Sequence, residues 1–100
     1  MQIETITDKG NTTVKPEGKL TVQTSPELDA AIKQLPNDIC DLDIDLSHVD
    51  YIASAGLRVL ASVAKLTTLR GGKMRLLHPD ANVMESLEMT GLSEVFAIER

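Results

Sequence analysis

Aromatic side chains are nearly missing from this chain, which has one Tyr, one Phe and no Trp in 100 residues. That removes the stacking platforms on which single-stranded nucleic acids are bound. With a formal net charge of −5 there is also no basic patch to hold a phosphate backbone. Cys40 is the sole cysteine, so no disulfide can close within the chain and nothing points to an oxidising compartment. No stretch approaches the ~20 apolar residues of a membrane span. The opening Met1-Gln2-Ile3-Glu4-Thr5 has neither the basic start nor the apolar run of a signal peptide. One cytoplasmic domain over residues 1–100 is expected, with no nucleic-acid partner.

Catalytic and metal-binding patterns are equally scarce. His48 and His78 are far apart, each beside a loop, and neither has a companion at metal-ligand spacing. Asp41, Asp43 and Asp45 could suggest the start of a calcium loop. Such a loop needs Gly at its sixth position and Glu at its twelfth, and those positions hold Leu46 and Ile52. Arg70-Gly71-Gly72-Lys73 follows a helical pattern instead of opening one, so it is a helix stop and not a phosphate-binding loop. Cys40 precedes a strand and reads as a small filler. No enzymatic activity, metal or cofactor is expected.

What the chain does have is aliphatic residues in clear periods. Ile3 and Ile6 lie in a β-like opening that runs through the turn Asp8-Lys9-Gly10-Asn11 into β-branched Thr12-Thr13-Val14-Lys15, a hairpin. Pro16 and Gly18 interrupt the return strand, and Pro16 suits an edge strand or a bulge. After Leu20-Thr21-Val22, Ser25 as cap, Pro26 at the first helical position and Glu27 start a helix carried by Leu28, Ala31, Ile32 and Leu35. It ends at Pro36-Asn37-Asp38. Ile39 to Leu46 alternates: Leu42, Ile44 and Leu46 face a core, and the three Asp residues face water.

A loop from Ser47 to Ala53 leads to a helix over Ala55–Leu69 with a broad apolar stripe, on which Arg58, Ser62 and Lys65 trace the polar side. Gly71-Gly72 closes it. Lys73–Leu77 is the next strand, Val83, Met84 and Leu87 mark a shorter helix ended by Gly91, and Val95–Ile98 is the last strand. The predicted order is β-β-α-β-α-β-α-β. It describes an α/β domain with a mixed, mostly parallel sheet whose helices pack largely on one face.

Ser54 is the residue whose position invites a function. It sits where coil becomes helix, flanked by Ala53 and Ala55, with Gly56 allowing close backbone approach. Such a hydroxyl can cap the free N–H groups of the first turn, or it can carry a phosphate that those groups and the helix dipole stabilise.

The run Asp45-Leu46-Ser47-His48-Val49-Asp50-Tyr51-Ile52-Ala53-Ser54-Ala55-Gly56-Leu57 resembles the signature of the STAS family, the anti-sigma factor antagonists. Members show an aliphatic strand, a D-x-S/T-like loop, then D-S-[ST]-G-L opening the second helix. Gly18-Lys19-Leu20, Gly71-Gly72-Lys73-Met74 and Glu88-Met89-Thr90-Gly91-Leu92 extend the similarity in order over nearly the whole chain. Ala53, Ala55 and Thr21 depart from the family's Asp, Ser/Thr and Asp.

The resemblance implies a sheet with helices largely on one side, and a partner-switching role. The unmodified antagonist binds an anti-sigma factor that is also a serine kinase and so releases a sigma factor. ATP-dependent phosphorylation of the motif's first serine, here Ser54, ends binding, and a metal-dependent serine phosphatase restores it. The expected partner surface is Leu20, Thr21, Val22, Gln23 and Thr24 with Ala53, Ser54, Ala55, Gly56, Leu57 and Arg58, all at one end of the sheet. The free form is expected to be a monomer. The alternative is a non-switching accessory or scaffold subunit, as on a lipid-transport ATPase or in a signalling assembly, with Ser54 a cap and contact residue. A small-molecule site on the bare sheet face is a third.

Overall fold

The computed structural model describes residues 1–8, 10–36 and 41–100. Among them six strands form one mixed sheet and three α-helices cover one of its faces. The order is β1 (Gln2–Asp8), β2 (Asn11–Leu20), α1 (Ser25–Lys33), β3 (Asp41–Asp45), β4 (Val49–Ile52), α2 (Ser54–Leu69), β5 (Met74–Leu77), α3 (Ala81–Met89) and β6 (Ala97–Glu99). Strands β1 and β2 form the antiparallel hairpin, while β2–β3, β3–β5 and β5–β6 are parallel. Period-2 alternation turns Val14, Leu42, Ile44, Met74 and Leu76 to one side. There they pack on Leu28 and Ile32 of α1, Leu57, Leu60 and Val63 of α2, and Val83, Met84 and Leu87 of α3.

Three expectations about the strands needed correction. The segment read as a loop from Ser47 to Ala53 contains β4. Strand β3 pairs only with the first part of β2, at Asn11–Val14, and β4 resumes parallel pairing at Gly18–Leu20. Residues 41–52 thus behave as one extended run broken at Leu46–His48, which follows the same edge of β2 to its end. Pro16 does not interrupt β2, and β2 is not an edge strand. The proline falls between the residues paired with β3 and those paired with β4, where no parallel ladder needs its missing N–H. The last strand begins at Ala97, not Val95, because Leu92–Glu94 forms a 3₁₀ turn whose Leu92 carbonyl accepts from the N–H groups of Val95 and Phe96. The reading of Cys40 as a filler lies outside the described residues.

The uncovered face is not simply solvated. Asp43 is only 4% exposed. Its carboxylate takes the Nε and Nη2 groups of Arg75, each at 2.8 Å, and the amide of Asn11 at 2.9 Å. Arg75 reaches on to Glu99 through Nη1 at 2.6 Å, so the row crosses β2, β3, β5 and β6. Burial pushes the Asp43 pKa up, but hydrogen bonding to Arg75 and Asn11, with the Arg75 charge, outweighs it and holds the group below its ordinary value.

A depressed carboxylate pKa stabilises the fold above the unfolded value near pH 4 and ceases to do so as pH falls through the folded value. Asp43→Asn should therefore cost about 1–2 kcal/mol at pH 7. In denaturant melts the gap from wild type should close in acid and not in alkali.

Gly56 fills a space with no room for a methyl group. A Cβ there would lie 2.8 Å from Ile52 Cγ1 and 3.1 Å from Leu20 Cβ, both on buried residues. Gly56→Ala should lower the unfolding free energy by about 1–3 kcal/mol, against the few tenths to 1 kcal/mol gain expected from helix propensity alone. The sign of the change in denaturant midpoint decides which effect governs.

Candidate functional site

The site is assembled where β2 and β4 end side by side. The Ala53 N–H donates to the Leu20 carbonyl at 2.8 Å, so the turn after β2 and the first residue of α2 emerge next to each other. Threonine hydroxyls tie that turn down. Thr24 Oγ1 accepts from the Thr21 N–H at 2.8 Å and donates to the Lys19 carbonyl at 2.6 Å. Thr21 Oγ1 accepts from the N–H groups of Gln23 and Thr24, each at 3.2 Å.

The approach to α2 is shaped by Asp45, whose Oδ1 accepts the Ser47 N–H at 2.9 Å. Burial raises the Asp45 pKa. The bonds from Ser47 and the nearby charges of Lys15 and His78 outweigh that and lower it overall, so the carboxylate keeps its charge to a lower pH than an ordinary Asp.

Ser54 is exposed and is the first residue of α2. Ala53 holds the N-cap position with an extended backbone, and no side chain caps the helix. The cap role for Ser54 is therefore excluded, and its hydroxyl makes no hydrogen bond among the described residues. The first turn of α2 sets no acidic residue beside it.

The predicted partner surface divides in two. Val22, which is 68% exposed, Gln23, Ser54 and Arg58 face solvent, and Thr21, Thr24, Ala53 and Ala55 are half-buried. Leu20, Gly56 and Leu57 are buried. They support the surface from beneath and cannot offer a side chain to a partner, because the end of β2 and the foot of α2 pack on each other. Gly56 therefore serves close packing within the chain.

Helix α1 also differs from expectation. Thr24 occupies its N-cap position with its hydroxyl turned away into the preceding turn, and Ser25, expected as the cap, is the first helical residue. Ser25 is fully buried, and its Oγ has no hydrogen-bond partner, a condition that costs on the order of 1–3 kcal/mol.

Ser25 lines a groove of about 330 Å³ between α1 and α2, with Asp29 and Lys33 on one wall and Ala55, Arg58 and Ser62 on the other. Reading α2 alone assigned Arg58 and Ser62 to its polar side, and the groove was missed. Periodicity shows which face of a helix is polar but not which neighbouring helix that face meets.

Removing the Ser54 hydroxyl should leave the fold untouched. Ser54→Ala is expected to shift unfolding free energy by less than about 0.5 kcal/mol. Asp80→Ala should cost about 1 kcal/mol, because Asp80 does cap its helix, accepting the Val83 N–H at 2.9 Å. Equal losses in thermal melts would contradict the geometry at Ser54.

Comparison with known proteins gives a consistent result. The family model described as STAS domain matches residues 2–100. A Bacillus subtilis (strain 168) protein named anti-sigma-B factor antagonist is 28% identical over 81 residues, covering 81% of this chain and 74% of that one. A Thermotoga maritima structure superposes with a TM-score of 0.91 at 19% identity, covering 98% of this chain and 86% of that one. The anti-sigma factor antagonist SpoIIAA in its unphosphorylated form superposes with a TM-score of 0.78 at 14% identity, covering 99% and 87%. SpoIIAA of Bacillus in its phosphorylated form gives 0.72 at 14% identity, covering 99% and 90%. At these identities the structural matches speak for the fold.

Proposed function

The chain belongs to the STAS domain family, and we propose that it is an anti-sigma factor antagonist switched by phosphorylation of Ser54. In the unmodified state the end of the sheet around Val22, Gln23, Ser54 and Arg58 docks on an anti-sigma factor, which thereby releases its sigma factor. The same anti-sigma factor acts as a serine kinase. The γ-phosphoryl group of ATP passes to Ser54 Oγ, the bond to the β-phosphate oxygen breaks, and ADP and the hydroxyl proton leave. A serine phosphatase reverses the modification by hydrolysis, releasing inorganic phosphate. The observation that carries this reading is the exposed hydroxyl at the first position of α2, with no hydrogen bond among the described residues. The name of the Bacillus subtilis relative supports the antagonist role.

Electrostatics accounts for the on–off behaviour. Phosphate adds about −1.5 to −2 charges to a contact with no other acidic residue in the first turn of α2. A desolvation and repulsion cost of ~3 kcal/mol weakens binding more than a hundredfold. Within the chain the modification is tolerated, because the dipole at the foot of α2 favours an anion. The Ala residues on either side leave room for a kinase.

Incubation with ATP and a purified anti-sigma factor kinase from the source organism should add the mass of one phosphate, and Ser54→Ala should add none. Ser54→Asp should weaken kinase binding at least a hundredfold, measured by calorimetry, with thermal stability unchanged. An unmodified chain that still binds an ATPase or scaffold partner would instead support the accessory-subunit role.

A further inference from the structure

The groove between α1 and α2 has a donor without an acceptor and a cation without an anion. Ser25, one of the residues lining it, is fully buried, and its Oγ has no hydrogen-bond partner among the described residues. Lys33 and Asp29 satisfy each other at 2.8 Å. Arg58, exposed on the opposite wall, has no ion pair among the described residues, although the chain as a whole carries a net charge of −5. A carboxylate answers both deficits, since one oxygen can accept from a hydroxyl while a guanidinium holds the group by charge and paired N–H donors.

We propose that this groove receives an acidic side chain of the docked partner protein, held by Arg58 and Ser25. The proposal rests on the reading that a protein docks at this end of the sheet, and it names the chemistry of that contact. It also gives the phosphate a second effect. Arg58 lies one helical turn beyond Ser54, the spacing at which side chains on a helix meet. A phosphate at Ser54 is a stronger anion than a carboxylate and draws the same guanidinium away from the groove.

Binding of the purified anti-sigma factor kinase by calorimetry tests this. Arg58→Glu should weaken binding about a hundredfold, Arg58→Lys by tenfold or less, and Ser25→Ala by about tenfold. Lys65→Glu changes charge equally on the same helix but lies outside the groove, and should have little effect. One Asp→Lys or Glu→Lys change on the kinase should restore binding to Arg58→Glu. Melting curves check that each variant is folded.

Unchanged affinity for Arg58→Glu, with Ser54→Asp still abolishing binding, overturns the groove contact and leaves the switch standing. Equal losses for Arg58→Glu and Lys65→Glu, or no restoring change on the kinase, overturn it as well. Self-association of the chain that Arg58→Glu abolishes would assign the groove to a second copy instead. If neither Arg58→Glu nor Ser54→Asp alters binding, both readings fall.

Discussion

A Cβ on Gly56 would stand 2.8 Å from Ile52 and 3.1 Å from Leu20, and the geometry of the site depends on that closeness. With no side chain at this position the foot of α2 lies directly on the ends of β2 and β4. The Ala53–Leu20 hydrogen bond of 2.8 Å then ties the two together. Because Leu20 and Ile52 are themselves buried, neither can yield without opening the core. The place where α2 begins is therefore set by backbone pairing and by a rigid apolar contact. Rigid support of this kind keeps an exposed group in one position whether or not a partner is present.

The two faces of the sheet solve different problems. On the covered face, aliphatic residues with Met74, Met84 and Phe96 fill the space between strands and helices, which suits a chain with almost no aromatics. On the other, charge is arranged in a row from Asn11 through Asp43 and Arg75 to Glu99. Asp43 is buried in that row, and an ionised group so placed needs its partners. The bidentate Arg75 contact and the Asn11 amide supply them. Cross-strand charge of this sort fixes the register of β2, β3, β5 and β6 without closing the face, since a one-residue slip would unpair Asp43.

Most of the architecture was legible because it rests on strong periods. The alternation of Leu42, Ile44 and Leu46 against three Asp residues, the stripe of α2, and the glycine stops at Gly71 and Gly91 each have a local physical cause, and the glycines do adopt left-handed backbones. What escaped depends on partners distant in sequence. Val49-Asp50-Tyr51-Ile52 is too short to announce a strand by its own pattern, and it becomes one only because β2 outruns β3. Pro16 reads as a break unless the change of partner along β2 is known. Ser25 before Pro26 has the composition of a cap, yet Thr24 sits there and spends its hydroxyl on Lys19 and Thr21. At the site, the position of Ser54 was legible from sequence, while the groove beside it required knowing which helix α2 meets.

The choice of Ala at the N-cap of α2 and Ser at the following position is unfavourable for the helix by itself. Alanine in place of a capping residue costs about 1 kcal/mol, and a serine one position earlier would remove that cost. The helix tolerates it because Leu57, Leu60 and Val63 are buried, each contributing about 1.5–3 kcal/mol. A capping serine would have its oxygen committed to backbone N–H groups, and modifying it would remove the cap together with adding the charge. One position further on, the oxygen makes no hydrogen bond among the described residues, so a phosphate there would change the surface and leave the helix start as it was. A local loss of helix stability is thus what separates the fold from the state of the hydroxyl.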